Sequence, residues 1–220
     1  MEDQLRDWLA KQDYEAITEL AGRKRRVLSF LTALTYDLDP LISWRAVEAM
    51  GLAAGRISDE DPEYVRTHLR RLMWLLNDES GSIGWHAPEM MGEILRSRPQ
   101  RFTEFVPIVI SILDLEEEDA VRFRAGTLWA IGRAGRVNPA AVEAAIPGVV
   151  PCLDDSDPQT RGLAAWCLGQ LGVSDQHLGH RDRLLSDPSP VEWYEGGQLV
   201  TRRVGELARA ALESSRRSNS

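Results

Sequence analysis

The chain has 220 residues, 43% of them apolar and 27% charged, a profile expected of soluble globular material sized for one domain or two small ones. Its longest nearly unbroken apolar stretch, 105–113, is shorter than the roughly 20 residues a bilayer-crossing helix needs and contains Pro107, so a helical membrane span is excluded. The net charge of −8, from 34 acidic against 26 basic residues, disfavours binding along a nucleic-acid duplex, since the bases form only short clusters such as RKRR at 23–26.

The amino end, MEDQLRDWL, lacks a basic-then-apolar signal pattern, and the expected location is the cytoplasm. Residues 1–23 are expected to form a cap of one or two short helices. Beyond them, five glycines recur in similar settings: WRAVEAMG ends at Gly51, WHAPEMMG at Gly92, GTLWAIG at Gly132, LAAWCLG at Gly169 and TRRVG at Gly205. Their spacings of 41, 40, 37 and 36 residues match a helix, a turn, a second helix and a loop, the unit of an α-solenoid. First helices are predicted from the apolar patterns over 27–34, 64–76, 102–113, 140–153 and about 176–185. Linkers such as LDP at 38–40, DEDP at 59–62, NDESG at 77–81, EEED at 116–119 and DDSDP at 154–158 supply turn formers and helix caps. Near the carboxyl end, VEWYE and QLVTR flank Gly196-Gly197, a two-residue hairpin turn. Thr201 is expected to cap a final helix to about Ser214. The reading is an all-α, right-handed α-α solenoid of about five helix pairs, with repeats over 24–185, a hairpin and capping helix over 186–214, and a disordered tail at 215–220.

The repeats resemble HEAT repeats of the phycobilisome-lyase type, whose second helix reads roughly D-x-x-x-R-x-x-A-x-x-x-L-G. DPQTRGLAAWCLGQLG carries this best, with Arg161, Ala164 and Leu168-Gly169, and the preceding repeat supplies Arg124 and Ile131-Gly132. The first two repeats depart from it, carrying Arg45 and His86 two positions later than the usual arginine, which breaks any arginine ladder at that end. The segment 70–94 is also similar to a group of such proteins from anaerobic bacteria. The resemblance implies a HEAT-like solenoid and, by analogy, chromophore handling.

At about 100° per residue, positions in each second helix can be placed on a wheel. With the fifth residue before the repeat glycine at zero, a core arc takes in Ala164, Cys167, Leu168 and Leu171 and their equivalents. The seventh-before and third-before positions fall opposite, at about 160° and 200°, on the face expected to be concave. They read Trp44, Trp85, Ala125, Gly162 and Gln198, and Glu48, Glu89, Trp129, Trp166 and Arg202. Accessible tryptophans repeated on a concave wall point to recognition, because tryptophan is a frequent binding hot spot. The expected binding residues are Trp44, Glu48, Trp85, Glu89, Glu93, Trp129, Arg133, Arg136 and Trp166, and the expected partner is a protein or peptide segment of cationic or mixed charge.

Chemistry is the alternative. His86 and Glu89 share a helical face, with Asp78 in the preceding turn, and together they make an acid-base set for an enzyme or chromophore-handling protein. A third reading, a HEAT-like DNA glycosylase with aromatic residues around a damaged base, sits poorly with the acidic first half. The histidine-glutamate dipeptides of HEAT-type di-iron hydroxylases are absent, since His86 precedes Ala87. His177, His180, Asp175 and Asp182 read as a solvated helix end. No cofactor, metal site or catalytic residue is expected under the leading reading, and Cys152 and Cys167 are expected as reduced core thiols.

Overall fold

The computed structural model describes residues 1–76, 86–114, 118–178 and 181–218. These residues form an all-α helical-repeat fold with one two-stranded sheet. They divide into two compact units, residues 1–105 with 196–198 and residues 106–195 with 199–220.

In the first unit, α1 (Glu2–Lys11) and α2 (Tyr14–Arg23) precede the pair α3 (Val27–Leu34) and α4 (Pro40–Ser58), then α5 (Pro62–Leu76) and α6 (Ala87–Ser97). Asp-Pro dipeptides start two of these helices. Asp39 accepts from the Leu41 amide ahead of α4, and Asp61 from the Tyr64 amide in the first turn of α5. Proline presets the first helical φ and the aspartate satisfies an amide that has no intrahelical partner.

In the second unit the second helices are α8 (Glu118–Gly135) and α11 (Pro158–Gln170), the latter capped by Asp157 through the Gln159 and Thr160 amides. The first helices expected over 102–113, 140–153 and 176–185 are broken. They appear as α7 (Val106–Ser111), α9 (Pro139–Val142), α10 (Ile146–Val149), α12 (Ser174–Leu178) and α13 (Asp182–Leu185), with 3-10 turns at Thr103–Phe105, Ile112–Asp114, Glu143–Ala145 and Val150–Asp154. Pro147 and Pro151 segment the middle stretch, because each removes an amide donor and crowds the turn before it. The hairpin forms as expected, from β1 (Pro190–Glu195) and β2 (Gln198–Arg203), with Gly196 and Gly197 both at positive φ as a primed turn requires. Thr201 lies within β2 and does not cap α14 (Val204–Ser218), where Glu206 accepts from the Arg203 amide instead. That helix runs past Ser214.

The core arc is buried throughout: Ala46, Ala49 and Met50 in α4, Ala87, Met90 and Met91 in α6, Thr127, Ala130 and Ile131 in α8, and Ala164, Cys167 and Leu168 in α11. Gly51, Gly132 and Gly169 lie elsewhere on their helices, at crossings with another helix. A Cβ on Gly51 would stand 2.7 Å from the Glu93 carbonyl oxygen of α6, one on Gly132 would enter the Trp166 ring of α11, and one on Gly169 would stand 2.7 Å from Ala211 Cβ of α14. Gly205 does not continue the series, since it lies in the first turn of α14 against the Leu185 carbonyl.

Arginines tie the turn of one repeat to the helix of another. Arg98 meets Asp59 at 2.7 Å, Arg124 meets Asp155 at 2.7 Å, and Arg161 meets Asp187 at 2.7 Å. The Arg98 guanidinium holds the Asp59 carboxyl below the usual carboxylate range. Arg45 departs from this pattern. It is 5% exposed and donates to the carbonyl oxygens of Leu9 and Ala10 at 3.1 and 2.8 Å, in the last turn of α1, where cations are favoured.

His68 of α5 is 4% exposed. Thr32 donates its hydroxyl to the Leu28 carbonyl at 3.0 Å, so His68 Nε2–H donates to Thr32 Oγ1 at 3.2 Å, and Nδ1 is buried without a partner among the described residues. Burial, with Arg71 adding repulsion, lowers the His68 pKa to about 4.

Two stability predictions follow from these packing facts. Gly51→Ala should cost about 1–3 kcal/mol, because the methyl meets a backbone oxygen, and Leu168→Ala about 2–5 kcal/mol from the cavity it leaves. Leu52→Ala, at a 37% exposed position, should cost under about 1 kcal/mol; chemical denaturation of the three variants checks the order. For His68 the folded state refuses a proton that the unfolded chain accepts, so stability is full above pH 6.5 and falls as the pH drops toward 4. The loss is about 3 kcal/mol, and a His68→Gln variant should lack that slope in denaturation curves taken across the same window.

Candidate functional site

In the first unit, α4 and α6 place an aromatic ring, an imidazole and a carboxyl together. Trp44 is half-buried and meets the His86 ring edge-on, with centroids 4.9 Å apart at 61°. His86 Nδ1–H donates to Glu89 Oε1 at 3.3 Å, which leaves Nε2 as the basic nitrogen of the neutral ring. Glu89 is 6% exposed, and its Oε2 is buried with no hydrogen-bond partner among the described residues. Glu93 is fully buried and accepts from Arg96 Nε at 2.8 Å. Glu48 is half-buried and accepts from the Tyr14 hydroxyl at 2.8 Å. The glutamates expected to flank an open groove are therefore inside this unit. Trp85 and Asp78 lie outside the described residues.

In the second unit the expected wall of exposed tryptophan is corrected. Trp129 is 3% exposed, closed over by Arg133, whose guanidinium lies 5.1 Å from the ring centroid; Arg136 is exposed. Trp166 is half-buried, its ring filling the space that Gly132 leaves open. It also meets Trp193 of β1 edge-on, with centroids 5.1 Å apart at 73°. Beside this pair is a groove of about 290 Å³ lined by Trp166, Trp193, Glu195, Arg202, Glu206 and Leu207, among others. Arg202 pairs with Glu195 at 3.1 Å, both well exposed.

Residues 121–171 match the model of the HEAT-like repeat. An uncharacterized protein from Archaeoglobus fulgidus is 30% identical over 186 residues, covering 81% of this chain and 92% of that one. The chain carries a HEAT-like repeat over residues 121–171. Among solved structures, an engineered protein aligns at TM-score 0.52 and 15% identity over 98% of this chain and 96% of that one. An archaeal HEAT-like repeats protein from Thermococcus onnurineus aligns at TM-score 0.46 and 18% identity over 98% and 80%.

Sequence reasoning about this HEAT-like repeat protein missed Trp193. The signal was available in the strand pattern VEWYE, where period two sets Val191 and Trp193 on one face; both are buried, and Val191 packs toward Gly162 of α11. A second cavity of about 620 Å³ is lined by Asp154, Arg161, Arg181, Arg183 and Asp187 among others. Its arginines at 161 and 181 are engaged, with Asp187 at 2.7 Å and Asp154 at 2.7 Å. Among the described residues no group of three or more His, Cys, Asp or Glu is arranged to hold a metal ion, and His180 lies outside them.

The buried orphan oxygen of Glu89 generates a stability test. An unpaired buried polar atom costs about 1–3 kcal/mol, so Glu89→Leu, which keeps the volume and removes the polar atoms, should unfold at the wild-type denaturant midpoint or above it. Glu89→Ala should lose about 2 kcal/mol or more through the cavity. A Leu variant as unstable as the Ala variant would show that the carboxyl itself holds α6 in place.

Proposed function

We propose that this HEAT-like repeat protein is a non-catalytic scaffold that holds a protein segment, with the groove beside Trp166 and Trp193 as its docking point. The observation that carries this reading is a pair of edge-to-face indoles at a groove with a polar, charged rim, the anatomy of a hot spot. The free, buried thiols of Cys152 and Cys167 suit a reducing compartment such as the cytoplasm, and no described helix is long and apolar enough to cross a membrane. A second reading, acid-base chemistry of the phycobilisome-lyase kind, draws its support from the His86–Glu89 hydrogen bond beside Trp44.

Ala210 lines the groove from the exposed side of α14, so Ala210→Arg fills the groove without touching the core. The variant should keep its melting temperature within about 2 °C. Capture of partners from a lysate of the native host, quantified against wild type, should fall more than about tenfold, the loss of a hot spot. Undiminished capture by the filled variant would remove this groove as the docking point. His86→Gln should leave capture unchanged under the scaffold reading.

A further inference from the structure

We infer that the groove beside Trp166 and Trp193 takes the cationic side chain, an arginine or lysine, of a basic protein segment, an inference that rests on the scaffold reading. Aromatic surface, charge and size each support this choice. The two rings stand at 73° to one another and both line the groove, and indole rings attract cations through their quadrupole. Leu207, Ala210 and Ala211 extend the lining with apolar surface, suited to the methylene stem of a long basic side chain whose head stays at the rim.

The charge of the rim has the complementary sign. Among the described lining residues, Glu195 and Glu206 face a single base, Arg202, which is already paired with Glu195 at 3.1 Å. Glu206 spends one oxygen, Oε2, on the Arg203 amide at 3.0 Å. An acidic side chain would meet two carboxylates and one engaged guanidinium, so it is repelled. A purely apolar side chain would add no donor for the carboxylate oxygens that these contacts leave over. A volume of about 290 Å³ suits one long side chain, whereas an inserted helix, about 10 Å across, is too large.

The test uses the full chain with ¹⁵N-labelled indoles, the Trp166 and Trp193 signals being assigned through the Trp166→Phe and Trp193→Phe variants. Four capped pentapeptides serve as probes, Ac-Gly-Gly-X-Gly-Gly-NH2 with X as arginine, lysine, leucine or glutamate. The arginine and lysine peptides should shift both indole N–H signals and bind at least about tenfold more tightly than the leucine and glutamate peptides. A Glu195→Gln, Glu206→Gln double variant, which keeps the acceptor for the Arg203 amide, should shrink that preference to under about threefold. Equal binding of the leucine peptide, or preference for the glutamate peptide, overturns the cationic inference while the scaffold reading stands. If no peptide shifts either indole, the groove is not a docking point and both fall.

Discussion

At three crossings within the two units, second helices approach so closely that one of them must carry glycine. Gly51 faces the backbone of α6 at Glu93, Gly132 faces the Trp166 ring and Gly169 faces Ala211. Packed helices sit about 8–10 Å apart, and the short end of that range is open only where a Cβ is missing. Much else follows from this contact. A second helix has its own first helix on one side and other second helices on its flanks, so α4, α6 and α11 are buried around most of their circumference. Polar residues on them must then find partners within the protein, as Glu93 does with Arg96 and Arg45 with the end of α1.

The two candidate sites differ in kind. The cluster around Trp44, His86 and Glu89 is largely inside its unit. Its imidazole is oriented by a carboxyl, and the unpaired Glu89 oxygen is a cost the fold carries. The groove beside Trp166 and Trp193 stands open, and its charges lie at the rim where solvent screens them. The first arrangement suits fixing a proton at a known nitrogen, the second suits accepting a side chain from outside. Trp166 serves structure and site at once, since the same ring that fills the space at Gly132 also stacks on Trp193.

Electrostatics inside each unit follows a simple rule with one exception. Arg124 and Arg161, at the position of the repeat arginine, reach acids of the following turn as half-buried ion pairs near the surface. Arg45, two positions later, is turned inward and satisfied by carbonyl oxygens. A shift of two residues rotates a helical side chain by about 200°, which converts a surface ion pair into a buried set of hydrogen bonds.

The helical repeat, the helix starts at Asp39-Pro40, Asp61-Pro62 and Asp157-Pro158, the core arc and the Gly196-Gly197 hairpin were legible in the residues alone, because local backbone preference and hydrophobic period determine each of them. Proline positions were equally visible, although an apolar pattern conceals the breaks they make at Pro147 and Pro151. Trp129 was misread as accessible because a helical wheel divides a helix into core and solvent, whereas a second helix in this fold has neighbours on several sides. The repeat glycine itself falls at about 140° on that wheel, next to the supposedly open positions, and marks a helix contact there. Which tryptophans stay accessible depends on what crosses at that glycine and on where β1 lies against α11, and these are long-range contacts that only the tertiary structure decides.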